Sequence, residues 1–397
     1  MDARPAAGME VGPIAHAARH VVPEPAFAAP ARLERHTLVG RDGRHLYIYG
    51  DLRGTIGPDW PTMQPGPLQE RYDRLTATWI AFSPARNARP HSSDRPADGP
   101  TCPLCPGGPE VPFSYEAAVF DNRFPALLEP PPPVPAAAWV RPSAGRCEVV
   151  LYTEQHEGSL ATLSPEGLAR VVAVWRDRSR DLWADRRHRF VLVFENRGEA
   201  VGATLSHPHG QIYAFDHLPP FIGNRVDALA AGRRETGACV ACAVVAADVE
   251  SERLIDPDEA WAVAVPFASR WPYEVHARAR RHGLRRLADL TPAEARSLAR
   301  VLRRVVLRYD RLFGIELPYM MTVLEAPAGA DDWHLGVEFL PPHRNERLTK
   351  VRASVETATG MFITDQLPET SAARLRRIDV PDVDEAPALE AIETASA

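Results

Sequence analysis

The sequence predicts an α+β protein built from two similar halves, each a mainly antiparallel sheet with helices packed on it. Each half contains a Cys-x-x-Cys pair, which begins at Cys102 in the first half and at Cys239 in the second. In both halves a β-rich run, a long amphipathic helical pattern, an apolar run and a histidine follow the pair. Features that recur in the same order indicate an internal repeat. The presence of strands and helices in each repeat gives the mixed fold class.

The helices are predicted from their starts and from their apolar faces. Ser164-Pro165 and Thr291-Pro292 are typical helix N-termini, because a capping residue precedes a proline in the first turn. Each is preceded by a β-rich run, at residues 148–153 and 273–277. One face of each helix is apolar, so we expect that face to pack on a sheet. The apolar residues are Leu168, Val171, Val172, Trp175 and Leu182 in the first helix, and Leu298, Val301, Leu302, Val305, Tyr309 and Leu312 in the second.

The apolar run of the first half is preceded by two histidines. His207 and His209 stand two residues apart, directly before Gly210 and Gln211. If residues 207–215 form a strand, both rings share a face. Gly210 then allows a ligand to approach the backbone, and Gln211 offers an amide donor to a phosphate. A neutral imidazole can attack phosphorus and leave again, although such a pair is also typical of structural or metal-bound histidines.

Composition restricts the possible partners. The 397 residues are 45% hydrophobic and carry a net charge of −6, which is enough apolar material for one large core or two fused ones. The negative charge argues against nucleic acid or an anionic membrane as a partner, so local arginines would have to bind any anionic substrate. The sequence has no apolar run of membrane-spanning length and no signal-peptide pattern. We therefore expect a cytoplasmic protein.

The domain limits follow from composition and from the repeat. Residues 1–34, rich in Ala and Pro, predict a flexible N-terminal extension, and residues 379–397 predict a flexible acidic tail. Between them we place the first half, with the candidate nucleophile, at residues 35–232. The second, degenerate half is placed at residues 233–378. Four of the five cysteines form the two Cys-x-x-Cys pairs, which favours metal or redox groups over disulfides.

Several sequence segments carry a family resemblance. Residues 207–213, preceded by residues 194–198, resemble the active-site segment of galactose-1-phosphate uridylyltransferases, the nucleotidyl-transferring branch of the histidine-triad superfamily. Residues 71–90 and 121–125 resemble two further motifs of that family, and the likeness extends from about Arg35 to about Arg377. It implies two fused histidine-triad-like halves. The family members are homodimers whose active site can draw on both subunits.

The resemblance also implies roles for single residues. His209 would accept the nucleotidyl group, and Gln211 would hold its non-bridging oxygens. In the segment that resembles the family's hexose-phosphate segment, Lys350 would contact the phosphate and Glu356 the sugar hydroxyls. The full set of implied substrate-binding residues is Arg86, Arg89, Asn122, Asn196, Lys350 and Glu356.

Zinc is the implied metal. The resemblance places the ligands of a first zinc at Cys102, Cys105, His156 and His207. By the internal repeat, a second zinc would be held by Cys239, Cys242, His282 and His334, with His276 as an alternative to His282. Gly336 stands where the second half would carry its nucleophile, so we expect only the first half to react. Both ions would be structural.

These expectations describe an enzyme of carbohydrate metabolism. It would exchange UMP between a nucleoside-diphosphate hexose such as UDP-glucose and a hexose 1-phosphate, by a ping-pong mechanism as in galactose metabolism. Leu324 and Gly336 replace histidines common in the family, which leaves the acceptor sugar open. One alternative is a phosphorylase similar to ADP-glucose phosphorylase, with inorganic phosphate as acceptor. The other is a zinc-stabilised binding protein that has lost activity.

Overall fold

A twelve-stranded sheet runs through the computed structural model, which describes residues 33–63, 65–89, 102–381 and 392–394. The strands up to the end of the first half are β1 (Leu33–Val39), β2 (His45–Tyr49), β3 (Gln69–Asp73), β4 (Thr78–Phe82), β5 (Ala117–Asp121), β6 (Val140–Pro142), β7 (Gly145–Leu151), β8 (Phe190–Arg197) and β9 (His209–Phe215). The later strands are β10 (Leu254–Pro257), β11 (Trp261–Ala264), β12 (Val275–Ala279), β13 (Tyr319–Leu324), β14 (Gly336–Leu340) and β15 (Ile392–Thr394). The helices are α1 (Pro165–Ala184), α2 (Pro220–Thr236), α3 (Val240–Glu250), α4 (Pro292–Leu312), α5 (Ser354–Thr359) and α6 (Pro368–Arg376).

The sheets of the two halves are continuous. The strand order is β10-β11-β12-β14-β13-β8-β9-β7-β5-β2-β1-β15, and β3, β4 and β6 form a separate three-stranded sheet. Within the large sheet every pairing is antiparallel except that of β15 with β1. The halves meet where β8 pairs with β13, with Glu195 opposite Met321. The α+β prediction with mainly antiparallel strands is therefore confirmed, and the two predicted sheets are one.

The two long helices pack on the same face of this sheet. Both begin as predicted: the Ser164 hydroxyl accepts a hydrogen bond from Gly167 N at 3.1 Å, and Thr291 forms a capping box with Glu294. All the predicted apolar positions of both helices are buried. They join one core cluster that contains residues of both halves, including the fully buried Trp175 and Trp261. Burial of this shared apolar surface holds the halves together.

The ends of the predicted segments differ from the elements in the structure. Residues 33 and 34 of the predicted extension already belong to β1, and residues 392–394 of the predicted acidic tail form β15. The limit at residues 232–233 lies inside α2, because α2 begins at Pro220 and continues past it. Residues 1–32, 382–391 and 395–397 lie outside the described residues. Among the described residues, no helix is long and apolar enough to cross a membrane.

The strands of the large sheet begin and end along two opposite boundaries, here called its edges. The strand directions place the corresponding histidine segments of the two halves at opposite edges. β8 ends at one edge, where β9 begins at His209 and β14 ends at Leu340. Met320 lies opposite both Asn196 and Leu340, so these residues form a row across this edge. β14 begins at the other edge, where Gly336 lies opposite Leu324. The chain that follows β14 therefore starts from the edge that carries His209.

Candidate active site and metal centres

The four predicted ligands of the first zinc lie together. The ligand atoms of Cys102, Cys105, His156 and His207, here called the first Cys/His group, are all within 4.8 Å of one another. Cys105 Sγ is 3.4 Å from His156 Nδ1 and 3.6 Å from His207 Nδ1. Tetrahedral zinc, with bonds of roughly 2.0–2.3 Å, requires ligand atoms about 3.3–3.8 Å apart. The donors and their spacing therefore fit a zinc ion.

The second half repeats this arrangement. Cys239, Cys242, His282 and His334, the second Cys/His group, also have all their ligand atoms within 4.8 Å of one another. Cys242 Sγ is 3.3 Å from both His282 Nδ1 and His334 Nε2. His276 is not part of the group, since its Nε2 faces Glu274 at 2.7 Å. Of the two candidates for the middle ligand, the structure therefore brings His282 to the group.

His209 begins β9, and one of its ring nitrogens is fixed. Its Nδ1–H donates to the main-chain oxygen of His207 at 2.7 Å, because a carbonyl can only accept. The other nitrogen, Nε2, keeps its lone pair, and burial lowers the pKa of the ring. The predicted strand over residues 207–215 begins two residues late, and His207 turns away into the first Cys/His group. The expectation that both rings share a strand face was therefore wrong.

A small cavity of about 160 Å³ adjoins His209. Asn196, Gly198 and Ser206 line it together with His209. Gly198 has a φ of +89°, a conformation that glycine adopts without strain, and the loop turns here after β8. The cavity places the predicted residue Asn196 beside the candidate nucleophile.

Along β9, side chains alternate between the core and the candidate site. Gly210 and Ile212 are buried, whereas His209, Gln211 and Tyr213 are half-buried on the other face. Asn122 Nδ2 lies 3.5 Å from Gln211 Oε1, a long contact that still brings these two predicted residues together. The face thus presents an imidazole and two amides in a row.

Two arginines border the same face. Arg86, in a 3₁₀ helix at Pro84–Ala88, donates to the Tyr213 hydroxyl at 3.0 Å, and Arg89 Nε donates to the main-chain oxygen of Arg86 at 3.1 Å. Neither guanidinium forms an ion pair with a carboxylate within the described part of the chain. Burial and the neighbouring Arg86 lower the pKa of Arg89. Two adjacent cations without a counter-charge can bind a phosphate.

Lys350 and Glu356 contact each other and not this face. Lys350 Nζ lies 2.8 Å from Glu356 Oε1, and it also donates to the main-chain oxygens of Arg270 at 2.7 Å and Ile363 at 2.5 Å. Both side chains are buried. In the described residues, no recorded contact joins this pair to His209. The structure therefore assembles the predicted substrate residues as two sets, the face of β9 and the Lys350–Glu356 pair.

Sequence reasoning did not identify the polar residues beneath the nucleophile strand. A Cβ atom on Gly210 would lie 2.2 Å from the Tyr152 hydroxyl and 2.9 Å from the Phe194 oxygen, so only glycine fits. Close by, the buried Glu195 accepts a hydrogen bond from the Tyr319 hydroxyl at 2.8 Å. Burial raises the pKa of Glu195 to about 7. A carboxyl group directly after the apolar residues 190–194 was the sequence signal for Glu195.

Comparison with known proteins gives consistent matches. Residues 62–219 match the model of the N-terminal domain of galactose-1-phosphate uridyl transferase, and residues 234–389 match that of its C-terminal domain. The galactose-1-phosphate uridylyltransferase of Thermotoga maritima is 39% identical over 79% of this chain and 99% of its own. A solved uridylyltransferase structure is 30% identical, with a TM-score of 0.70 over 78% of this chain and 97% of its own. An ADP-glucose phosphorylase from Arabidopsis thaliana shares the fold, at 24% identity and a TM-score of 0.60 over 78% of this chain and 99% of its own.

The contact beneath Gly210 generates a stability prediction. Gly210→Ala should lower the free energy of unfolding by about 1–3 kcal/mol, because the new methyl group forces Tyr152 to move. Tyr152→Phe removes the nearest atom, so the double variant should recover part of this loss, and the Phe194 oxygen keeps the recovery incomplete. A double-mutant cycle by urea denaturation measures the coupling. Strictly additive effects would contradict the contact.

Glu195 generates a pH prediction. Its folded pKa of about 7 exceeds the ordinary 4.5, so the folded protein binds a proton that the unfolded chain has released, and stability falls as pH rises from about 4.5 to about 7. Glu195→Gln cannot ionise, so we expect it to be more stable than wild type by about 1–3 kcal/mol at about pH 8 and by little at about pH 4.5. Urea midpoints measure this, with the exposed Glu235→Gln as control. An equal difference at both pH values would refute the assignment.

Proposed function

The chain belongs to the galactose-1-phosphate uridylyltransferase family, and from this premise we propose that it transfers UMP between a nucleoside-diphosphate hexose and a hexose 1-phosphate. The observation that carries the proposal is the fixed ring of His209. Its Nδ1–H is bound to the His207 oxygen at 2.7 Å, and Nε2 is left as the nucleophile beside the cavity.

In the first half-reaction His209 Nε2 attacks the α-phosphorus of UDP-glucose. An N–P bond forms, the P–O bond to the sugar phosphate breaks, and hexose 1-phosphate leaves. The ring becomes positively charged, and the hydrogen bond from Nδ1–H to the His207 oxygen stabilises that charge. The Gln211 amide donates to a non-bridging oxygen of the phosphorus.

In the second half-reaction a phosphate oxygen of another hexose 1-phosphate attacks the same phosphorus, and the N–P bond breaks. Arg86 and Arg89 supply the positive charge for the incoming phosphate, and Asn122 and Asn196 orient the groups bound near His209. Lys350 and Glu356 bind the sugar phosphate by exchanging their mutual ion pair for contacts with it. The proposal includes a homodimer, in which the segment around Lys350 acts in trans, and a cytoplasmic location.

Zinc in both Cys/His groups is part of the proposal, in a structural role. In the first group it would hold His207, and with it the main-chain oxygen that orients His209. In the second group it would connect α3 to the loop before β14 at the far edge of the sheet. The donor atoms support this role, because cysteine and histidine without an open position are typical of structural zinc.

A phosphorylase that uses inorganic phosphate is the second candidate function. The observation that favours it is the pairing of Glu356 with Lys350, whereas Arg86 and Arg89, on the face of β9 that carries His209, pair with no carboxylate among the described residues. Inorganic phosphate requires only such cations, whereas a hexose 1-phosphate also requires acceptors for its hydroxyls.

His209→Gly should abolish turnover and incorporation of label from UDP-glucose carrying a radioactive α-phosphate. The substitution removes the nucleophile but leaves a space of imidazole size, so added imidazole should restore part of the first half-reaction. His217→Gly, a matched change at a half-buried histidine outside the site, should keep full activity. Turnover of His209→Gly without imidazole at the wild-type rate would eliminate the proposed mechanism.

Purified protein should contain close to two zinc ions per chain, one in each Cys/His group. Changing both Cys239 and Cys242 to Ser should remove one ion while labelling of His209 continues, because the second group lies at the opposite edge of the sheet from His209. Elemental analysis measures the metal, and nucleotide trapping measures the labelling. An unchanged metal content in the double variant would show that the second group binds none.

Variants of the Lys350–Glu356 pair distinguish the two candidate functions. Glu356→Ala should reduce hexose 1-phosphate transfer by the equivalent of about 1.5–3 kcal/mol, the usual contribution of a hydrogen bond to a charged group. Lys350→Ala should weaken every phosphorylated acceptor, including inorganic phosphate. Steady-state kinetics with both acceptors measures the effects, with Glu346→Ala, an exposed position in the same segment, as control. If Glu356→Ala leaves hexose 1-phosphate transfer intact while Lys350→Ala impairs it, the phosphorylase is the better candidate.

A further inference from the structure

A third group of potential metal ligands lies where α1 ends, apart from both Cys/His groups. Glu129, Asp185 and His188 each offer a ligand atom, and these atoms lie within 4.8 Å of one another. Asp185 caps the end of α1, His188 precedes β8, and Glu129 comes from the loop before β6. All three line a cleft of about 810 Å³ on the surface.

Within the part of the chain that the structure describes, His188 has one ring nitrogen without a hydrogen-bond partner. The residue is only 3% exposed, and its Nδ1–H donates to the main-chain oxygen of Leu182 at 2.6 Å. Its Nε2 is buried and finds no hydrogen-bond partner among the described residues; Glu129 Oε2 lies 3.5 Å away. Metal-binding histidines characteristically donate their second nitrogen to a carbonyl in this way. The free nitrogen points into the three-residue group.

The two carboxylates already attract a cation. Arg187 forms ion pairs with Asp185 at 2.6 Å and with Glu129 at 2.5 Å. Its side chain is 67% exposed, so it can move into solvent at small cost. Arg187 thus occupies the position in which a metal ion would neutralise both carboxylates, but among the described residues its contacts are to the carboxylates and not to Nε2 of His188.

A second group of two carboxylates and one histidine provides a comparison, because the ring nitrogens of its histidine already have partners. In the group of Glu274, His276 and Glu338, both ring nitrogens of His276 are engaged, by Glu274 at 2.7 Å and by Arg278 at 2.5 Å. Arg225 and Arg270 also bind the two oxygens of Glu338. This group therefore has no vacant ligand atom on its imidazole, whereas the group around His188 has one.

We propose that Glu129, Asp185 and His188 form a binding site for a divalent cation that takes one imidazole nitrogen and two carboxylate oxygens. This donor set suits a metal ion such as Mn²⁺, and water from the cleft would complete the coordination. Binding displaces Arg187 from the carboxylates. The site would hold the loop at Glu129 against the end of α1, and it does not depend on the proposed transferase reaction.

Manganese titration of the full-length protein tests the site. Mn²⁺ prefers oxygen and nitrogen ligands to thiolates, so the two Cys/His groups compete weakly for it. Electron paramagnetic resonance should show one bound Mn²⁺ per chain in the wild type, and pulsed measurements should detect a histidine nitrogen coupled to it. His188→Ala and Glu129→Gln should each weaken binding by at least about 10–100-fold, the usual cost of losing even a supporting contact. Arg187→Gln should strengthen it, because the competing cation is gone.

The control is His217→Ala, since His217 also faces a carboxylate, that of Asp216, but belongs to no three-ligand group among the described residues. This variant should bind Mn²⁺ like the wild type. If His188→Ala does not fold, the nitrogen coupling in the wild type and the less buried Glu129→Gln decide the question. Absence of bound Mn²⁺ in the wild type, or the same affinity with Glu129→Gln, would overturn the proposal.

Discussion

The constraint on which the candidate sites depend is the fixing of a histidine ring by one hydrogen bond to a main-chain carbonyl. His207 donates to Thr153 O at 2.8 Å, His209 to His207 O at 2.7 Å, and His334 to Ala279 O at 2.8 Å. A carbonyl only accepts, so each bond determines which ring nitrogen carries the proton and which is free. The lone pair of His209 is then on Nε2, and the free nitrogens of His207 and His334 point to cysteines.

These carbonyls are held in place by the continuous sheet. Because β8 pairs with β13, the two repeats share one hydrogen-bonded layer and one core, and neither can shift without breaking that ladder. The antiparallel directions put the first Cys/His group at one edge and the second at the other. The same directions bring the chain after Leu340 to the edge that carries His209.

The second half uses the equivalent face differently. By the repeat, Gly336 and Glu338 correspond to His209 and Gln211, so no imidazole remains for attack. Glu338 is buried between Arg225 of α2 and Arg270, and although burial alone would raise its pKa, His276 and these arginines lower it. The side chain that corresponds to Gln211 is therefore engaged in an ion-pair network. The second half thus has the Cys/His pattern and the fold of the first half, with glycine at the position that corresponds to His209.

The sequence by itself determined the fold class and the helix caps, because helix periodicity and capping are local patterns. It predicted the first Cys/His group only through the family resemblance, and in the second group it left His276 as an alternative to His282 until the structure brought His282 to the cysteines. It did not determine where β9 begins, since His207 could continue the strand or turn to the cysteines, and only the distant Cys105 and Thr153 decide this. Nor did it indicate the joining of the sheets, the Tyr152 hydroxyl beneath Gly210 or the free nitrogen of His188. Those features arise from contacts between residues far apart in the chain, which only tertiary packing brings together.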